Sequence, residues 1–391
     1  MAAIDKAINI EDLRRIAKRR LPRICYDFIE GGVEDEVGLR RNEQGFARHR
    51  LVPRYLVDVS KLDQSATLFG KTYASPFGIA PTGLAGLWRR GTDLALAEAA
   101  AAANIPFILS GSANASIEQV TKVAPKHAWY QLYPTLDRNI SADLIRRCRD
   151  CGVETLVLTV DVPVRTKRER NIRNGFTQPL KLTASSVLEA LRHPAWIAEY
   201  LRHGKPMLES LVPYAPAGAD AEGVAAFSNQ QLPAPQSWQD VETFRRLWPG
   251  KFVIKGIMHP GDAMRAAECG VDGLIISNHG ARQLDQAPSP IEMLPVIKAA
   301  VGDRMTLMLD SGVRRGGDVV IATCLGAKFV FTGRATLYGA VAGGAAGARR
   351  AISILQGEIA MVMGQMGCPD VTQLGQLGPD FLLSDGAVRS A

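Results

Sequence analysis

The chain has 391 residues, of which 47% are hydrophobic and 22% are charged, and its formal net charge is +7. This is the composition of an ordinary globular protein, and the length suffices for one large barrel or two smaller domains. The arginines are scattered and show no helix-turn-helix or zinc-finger spacing, which argues against nucleic-acid binding, while the mildly basic balance favours anionic ligands.

The amino terminus and the cysteines bear on the compartment. Residues 1–20 carry acidic residues at helix-like spacing where a secretory signal would have an apolar core, so we expect a cytoplasmic protein. No stretch approaches the ~18 uncharged apolar residues of a spanning helix, so any membrane contact would be peripheral. The six cysteines are few, as expected of reduced thiols, and the C-x-x-C at Cys148 and Cys151 is weak evidence for zinc or redox work; we expect no metal site.

In chain order, residues 1–75 predict short helices and a capping segment, and eight apolar runs follow, separated by helical segments. Continuous apolarity indicates strands buried on both faces. Eight βα repeats favour a closed (β/α)8 TIM barrel of the α/β class over an open sheet. The runs are Phe77 to Thr82, Pro106 to Ser110, Ala128 to Tyr133, Thr155 to Asp161, Phe252 to Gly256, Gly273 to Asn278, Thr306 to Asp310 and Phe329 to Thr332.

A stretch of about residues 177–235 separates the fourth predicted strand from the fifth, so we interpret residues 76–391 as a barrel that carries an insertion or lid. It holds a Leu/Trp/Tyr-rich helical piece and then a Pro/Gly/Ala linker from Pro213 to Gly223. An apolar face near Arg192 and Arg202 would suit an anionic bilayer surface, with residues 177–215 as the contact. Nearby glutamates nearly cancel that charge, so packing on the barrel or on a neighbouring subunit is the alternative.

Active sites of such barrels lie at the carboxyl ends of the strands, and polar residues collect there in this sequence. A random surface would not supply a base, a carboxylate, a lysine and several amides and hydroxyls on one rim. The candidates are Thr82, Gly83, Ser110, Gln131, Tyr133, Thr159, Asp161, Lys255, Ser277, His279, Asp310, Gly333 and Arg334.

His279 and Arg282 lie three residues apart on a predicted loop that Gly280 makes flexible. An arginine can hold a carboxylate in a bidentate fork while a histidine takes a proton from the adjacent carbon or hydroxyl, which suits an acid substrate. Asp161, two strands away, would orient the imidazole and stabilise its cationic form. Lys255 ends a buried strand and needs an anionic partner, either a ligand or a strand carboxylate.

The last two strand ends, Asp310 to Gly317 and Thr332 to Arg334, combine glycines, backbone amides and arginines. This is the usual phosphate position of the barrel, and it predicts a phosphorylated cofactor. The sequence contains no Walker motif and no strand–G-x-G-x-x-G–helix unit, which argues against ATP and against a Rossmann-bound nicotinamide.

These residues make nearly the whole sequence similar to the FMN-dependent L-2-hydroxy acid oxidoreductases, and most of all to the mandelate dehydrogenases among them. The motifs that carry the resemblance are Tyr26-Asp27-Phe28, Ala80-Pro81-Thr82-Gly83, Gln131-Leu132-Tyr133, Leu158 to Pro163, Ile254-Lys255-Gly256, Ser277 to Asp285, Asp310 to Gly316, Gly333-Arg334-Ala335, Arg202-His203-Gly204 and Gly367-Cys368-Pro369-Asp370.

The resemblance implies FMN as the cofactor, His279 as the base and Asp161 as its partner. It implies Arg282 and Tyr26 on the substrate carboxylate, Tyr133 on the hydroxyl, and Arg168 as a second active-site arginine. Reduced flavin would be the anionic partner of Lys255. The residues implied around FMN are Pro81, Thr82, Gly83, Ser110, Gln131, Thr159, Lys255 and Ser277 at the ring, and Asp310, Gly312, Arg314, Gly333 and Arg334 at the ribityl phosphate.

Three positions bear on specificity. Ser112 stands where glycolate oxidases carry a tryptophan, so we expect room for a larger substrate side chain, such as an aromatic ring. Arg165 stands where a pocket leucine is usual, and it either contacts a polar substituent or reaches solvent. Gly83, where oxidases often carry alanine, predicts a dehydrogenase that passes electrons to a quinone or other carrier.

A peroxide-forming oxidase, an L-lactate dehydrogenase and a non-catalytic phosphate-ligand binder are the alternative functions. The resemblance also implies a homotetramer.

Overall fold

The computed structural model describes residues 3–177 and 183–384. Eight parallel strands follow one another around a closed barrel, and the eighth pairs with the first. All eight coincide with predicted runs, so the predicted (β/α)8 barrel is confirmed. The strands are β1 Phe77–Ile79, β2 Phe107–Ser110, β3 Ala128–Leu132, β4 Thr155–Thr159, β5 Lys251–Lys255, β6 Gly273–Ile276, β7 Thr306–Leu309 and β8 Phe329–Thr332.

Helices surround the barrel and form both additions to it. Three of them precede the barrel, as predicted, and three α-helices and one 3-10 helix lie in the described part of the insertion. The helices are α1 Ile10–Arg20, α2 Arg23–Glu30, α3 Val37–Ala47, α4 Ala85–Trp88, α5 Thr92–Ala102, α6 Ile117–Val123, α7 Arg138–Asp150, α8 Glu169–Arg173, α9 Ala184–Ala190, α10 Pro194–His203, α11 Ala221–Gln231, α12 Trp238–Leu247, α13 Pro260–Glu268, α14 Pro290–Val301, α15 Gly316–Cys324, α16 Arg334–Met366 and α17 Val371–Phe381, with a 3-10 helix at Glu209–Tyr214.

The strands are buried along almost their whole length, because helices cover the barrel outside and side chains fill it inside. A hairpin of two short strands, Ala66–Leu68 and Lys71–Tyr73, closes the amino-terminal end. The Phe69 ring at its tip lies 5.9 Å from that of Trp129. The functional rim is therefore the opposite, carboxyl-terminal end.

The amino-terminal segment contacts both the carboxyl-terminal part of the chain and the rim of the barrel. Asn9 caps α1 by accepting a hydrogen bond from the Asp12 amide at 2.8 Å, and α1 packs along α16. The strand His49–Leu51 pairs antiparallel with Leu382–Ser384 near the carboxyl terminus. Helix α2 lies at the rim, beside the loop that follows β6. Arg282 of that loop donates hydrogen bonds to the carbonyls of Phe28 and Gly31, at the end of α2.

The insertion packs on its own barrel. Trp196 in α10 is buried and donates its indole N–H to the carbonyl of Leu87 at 2.9 Å, and Glu199 pairs with Arg20 at 2.8 Å. The linker predicted from Pro213 to Gly223 is wrong at both ends, because the 3-10 helix runs to Tyr214 and α11 begins at Ala221. Residues 178–182 of the predicted insertion lie outside the described residues.

Candidate active site

A cavity of about 480 Å³ lies over the carboxyl ends of the strands and is lined from all eight of them. This volume falls within the range of small-molecule and cofactor sites. The sequence-predicted residues on its wall are Pro81, Thr82, Gly83, Ser110, Ser112, Tyr133, Thr159, Arg165, Arg168, Lys255, His279, Arg282, Asp310, Gly312, Arg314, Gly333 and Arg334.

His279 is held from three sides. Its Nδ1 lies 2.9 Å from Oδ1 of Asp161, its Nε2 lies 3.3 Å from the Tyr133 hydroxyl, and its backbone N–H donates to Oγ of Ser277 at 3.0 Å. The loop places residues 279, 280 and 281 in the left-handed region, with φ of 59°, 65° and 58°. His279 and Ala281 each accept roughly 1–2 kcal/mol of backbone cost there, so the surrounding contacts fix a conformation that the local sequence does not favour.

Burial and neighbouring charges give these groups their protonation states. Burial lowers the pKa of His279 below its usual 6.5, although Asp161 acts in the opposite direction. Burial alone would raise the pKa of Asp161, but His279 and Lys255 outweigh it and lower that pKa. Burial raises the pKa of Tyr133 to about 12. At neutral pH the site therefore holds a neutral imidazole, an ionised carboxylate and a protonated phenol.

Lys255 lies on the floor of the cavity between two carboxylates. Its ammonium is 3.3 Å from Asp310 and 3.9 Å from Asp161, and it donates to Oγ of Ser277 at 2.8 Å. Burial alone would lower the pKa of Lys255, but the two carboxylates outweigh it and raise that pKa. The predicted strand-carboxylate partner is present, and Lys255 also faces the cavity as a charged donor.

Three partly buried arginines on the wall lack a carboxylate partner. Arg168, Arg282 and Arg334 have no Asp or Glu oxygen within 4 Å among the described residues, and burial lowers the pKa of each. Arg282 donates instead to the carbonyls of Phe28 and Gly31, at 2.6 and 3.0 Å. A cluster of desolvated cations bonded only to neutral carbonyls is suited to bind anions.

The structure does not place Tyr26 on the cavity wall, where its predicted contact with the substrate carboxylate would require it. Tyr26 and Phe28 are two residues apart on α2, where each residue turns the helix by about 100°, so their side chains leave opposite faces. Phe28 lines the cavity, whereas the Tyr26 hydroxyl donates to Glu30 at 3.1 Å, away from it. Helix α2 therefore offers an apolar ring and no phenol to a ligand.

Three further predicted residues stand directly behind the wall. Asp161 and Ser277 support His279 and Lys255, as described above. Gln131 accepts from the Ser110 hydroxyl at 3.2 Å through Oε1, which leaves its Nε2 free to face the interior. That Nε2 and Oγ1 of Thr159 are both buried and have no hydrogen-bond partner in the structure.

These residues fit a flavin mononucleotide. The orphaned polar atoms of Gln131 and Thr159 suit the hydrogen-bonding edge of an isoalloxazine ring, since buried polar groups in proteins are nearly always paired. Arg314 and Arg334 with the amide-rich loop at Gly312 suit a phosphate. Gly312 has a φ of 86°, and a Cβ there would lie 2.2 Å from the carbonyl oxygen of Asn42, so only glycine fits this loop.

An aromatic group on the wall was not predicted. Phe28 lies 5.0 Å from Trp88 and 4.6 Å from Phe176 between ring centroids, and the Arg282 guanidinium lies 4.6 Å from the Phe28 ring. The three rings come from α2, α4 and the segment after α8, so no local pattern joins them. The helical period of α2 alone could have directed attention from Tyr26 to Phe28.

The comparisons with known proteins agree with this site. The closed barrel carries the imidazole–carboxylate pair of His279 and Asp161, and a loop at Gly312 with Arg314 and Arg334 that suits a phosphate. These features define the class of barrel enzymes that use a phosphorylated cofactor. The family model for FMN-dependent dehydrogenases matches residues 17–379, and the chain belongs to that family. It is therefore an FMN-dependent oxidoreductase.

Relatives with functional names cover nearly the whole chain. It is 41% identical to (S)-mandelate dehydrogenase from Pseudomonas putida over 98% of this chain and 95% of the relative. It is 38% identical to a peroxisomal (S)-2-hydroxy-acid oxidase from Oryza sativa subsp. japonica over 97% and 96%. The crystal structure of a monotopic membrane protein, (S)-mandelate dehydrogenase, superposes with a TM-score of 0.93 at 41% identity over 97% of this chain and 100% of that one.

Proposed function

We propose that this protein oxidises an L-2-hydroxy acid with a bulky or aromatic side chain, of the mandelate type, to the 2-keto acid. The observation that carries the proposal is the position of the two carboxylate-free arginines, Arg168 and Arg282, on the same wall as His279. A 2-hydroxy acid needs a cation for its carboxylate and a base for its hydroxyl-bearing carbon, and this wall supplies both.

The chain's own groups then have distinct roles. Arg282 and Arg168 hold the carboxylate, and Tyr133 donates a hydrogen bond to the hydroxyl oxygen. His279 takes up the proton that the substrate loses, whether it comes from the hydroxyl or from the carbon, and Asp161 stabilises the imidazolium that results. FMN, when bound, supplies the acceptor for the two electrons. Lys255 places a positive charge at the cofactor site, where it offsets negative charge gained on reduction.

The aromatic part of the cavity wall favours a large substrate side chain. The rings of Phe28, Trp88 and Phe176 give it apolar area, and Ser112 keeps the neighbouring wall small. We expect kcat/KM for (S)-mandelate to exceed that for L-lactate by at least roughly tenfold, since each buried CH₂ contributes about 0.8 kcal/mol. Equal values for the two acids would contradict this substrate class.

A carrier rather than dioxygen is proposed as the electron acceptor. Gly83 supports this, because the resemblance places alanine at this position in many oxidases; here a Cβ would lie 3.2 Å from the Ser112 Cβ. With (S)-mandelate we expect turnover with a soluble quinone and slow peroxide release under air. Gly83→Ala should raise the rate of peroxide formation. Rapid, stoichiometric peroxide from the wild-type enzyme would favour the oxidase instead.

We also propose peripheral membrane contact through the helices of the insertion. Leu188, Leu191 and Leu201 are 69%, 62% and 78% exposed. Two of the glutamates expected to cancel the basic charge make contacts within the protein: Glu189 accepts from the Arg23 amide at 3.0 Å, and Glu199 pairs with Arg20 as described above. The exposed face is thus apolar, and the exposed Arg192 and Arg202 border it.

Sedimentation with anionic phosphatidylglycerol vesicles tests this contact. Leu188→Glu combined with Leu201→Glu should leave the protein in the supernatant, whereas Met361→Glu, at a 58% exposed site on α16, should not. Equal binding by both variants would contradict the proposal. Within the described ranges, no helix combines the length and the apolarity needed to cross a bilayer. The implied homotetramer stays a prediction for light scattering.

A further inference from the structure

The outer part of the cavity is closed by two chain segments that come from different parts of the sequence. One is the loop after β4, which lines the cavity with Val162, Val164 and Arg165. The other is residues 228–236, which we name the return segment because it leads from the insertion back to the barrel; it lines the cavity with Ser228, Leu232 and neighbouring residues. The two segments face each other across the mouth.

Arg165 joins these two segments. Its Nη2 donates to the carbonyl oxygens of Asn229 at 2.7 Å and Leu232 at 3.0 Å. In a continuing helix the Asn229 carbonyl would accept from the amide of residue 233, but that residue is Pro233, which has no N–H. Arg165 supplies the missing donor, and its positive charge suits the carboxyl-terminal end of α11.

The far edge of the return segment is anchored without Arg165. The amide of Leu136 donates to the Gln231 carbonyl at 3.1 Å, and Arg138 donates to the Pro235 carbonyl at 2.8 Å. Gln236 donates its Nε2 to the carbonyl of Thr159 at 3.0 Å. Loss of Arg165 should therefore leave the segment attached at its back and loosen the edge that faces the cavity.

We propose that Arg165 is a positioning residue that sets the cavity-facing edge of the return segment and so selects substrates by the size of their side chain. This inference rests on the proposed function, because the side chain of a 2-hydroxy acid is what would reach the mouth. Of the two sequence-based interpretations of Arg165, a contact with a polar substituent stays a prediction, and the exposed side chain agrees with the other, a side chain that reaches solvent. The structure adds a contact to two backbone carbonyls.

The test uses holoenzyme of three variants. Arg165→Leu removes both hydrogen bonds, Arg165→Lys keeps a donor for one carbonyl, and Arg173→Leu removes an exposed arginine that pairs with Glu169 away from the cavity. We expect the ratio of kcat/KM for (S)-mandelate to that for L-lactate to fall at least about fivefold in Arg165→Leu. It should fall less in Arg165→Lys and should not change in Arg173→Leu.

A second readout needs no turnover. Amide hydrogen exchange in residues 228–236 of the substrate-free holoenzyme should quicken in Arg165→Leu and not in Arg173→Leu. Unchanged exchange in Arg165→Leu would overturn the proposal, because it would show that Arg165 does not hold this segment. An equal loss of kcat/KM for both acids would also overturn it. If the wild-type enzyme oxidised neither acid, the proposed function would fail, while faster exchange would still establish Arg165 as the anchor.

Discussion

Asp161 binds His279 through Nδ1, at 2.9 Å, which leaves the Nε2 atom of the same ring facing Tyr133 and the cavity. Because an ionised carboxylate only accepts hydrogen bonds, the proton of the neutral imidazole must lie on Nδ1. The basic lone pair is then on Nε2, where a substrate can reach it. The carboxylate thus fixes the tautomer that the proposed reaction requires.

Asp161→Asn should slow substrate oxidation by at least roughly 10²-fold, because an amide can stabilise the wrong tautomer and offers no charge to the imidazolium. Stopped-flow absorbance of flavin reduction measures this step directly. Flavin content should stay at the wild-type level, and Asp143→Asn on the surface of α7 serves as the control. Reduction at the wild-type rate would remove Asp161 from the mechanism.

The pH dependence of kcat/KM should report His279. Since the pKa of this group is lowered from 6.5, its base form persists as the pH falls through 6.5 and is lost only at lower pH. We expect a plateau that extends below pH 6.5, followed by an acid limb. Asp161 raises the pKa of His279, so Asp161→Asn should move that limb to still lower pH. An acid limb above pH 6.5 would be inconsistent with this assignment.

Gly312→Ala should destabilise the protein by roughly 2–5 kcal/mol and weaken FMN binding, since a Cβ would meet the Asn42 carbonyl and the φ is left-handed. Gly317→Ala, five residues further along the same region, is a matched control. Its Cβ would have no neighbour closer than 3.9 Å, and its stability should stay equal or rise slightly. Thermal melts with and without added FMN separate the two effects; equal melts for both variants would show that the loop tolerates a side chain.

Glu30 anchors α2 beneath the cavity. It accepts hydrogen bonds from Arg14 at 2.6 Å and from Tyr338 at 2.7 Å. Burial alone would raise its pKa, but these bonds outweigh burial and lower it from 4.5 to about 2. The stabilisation, about 3 kcal/mol from that shift, is present above pH 4.5 and is lost as the pH falls toward 2.

Glu30→Gln should therefore lower the free energy of unfolding at pH 7, and the gap to the wild type should narrow below pH 4.5. Glu11→Gln, at a half-exposed carboxylate that also pairs with Arg14, should cost less than about 1 kcal/mol. Chemical denaturation between pH 3 and 7 checks both. A gap that stayed constant over this range would mean that Glu30 is not held ionised by its partners.

The barrel could be predicted from sequence because its strands are buried on both faces. That burial leaves continuous apolar runs ended by polar residues, and the runs give the order of the catalytic groups around the rim. His279, Asp161 and Lys255 follow directly, since each ends a strand or stands just beyond it. The resemblance added Pro81 and gave the other rim residues, including Gln131, their predicted places around the flavin.

Other parts of the site depend on contacts that no local pattern records. Tyr26 was misplaced because a motif match does not say which face of α2 meets the cavity. The partners of Arg165 lie 64 and 67 residues away, at the carboxyl-terminal end of α11. The aromatic wall likewise joins three elements that are distant in sequence. These features follow only from the three-dimensional structure.

Anaerobic visible absorbance of the purified holoenzyme, titrated with (S)- and (R)-mandelate, tests the central claim most directly. The account predicts that (S)-mandelate bleaches the flavin band of the wild-type enzyme while (R)-mandelate does not. His279→Asn should retain the band and bleach at least roughly 10²-fold more slowly. A His279→Asn enzyme that bleached at the wild-type rate, or a wild-type band that no 2-hydroxy acid bleached, would contradict it.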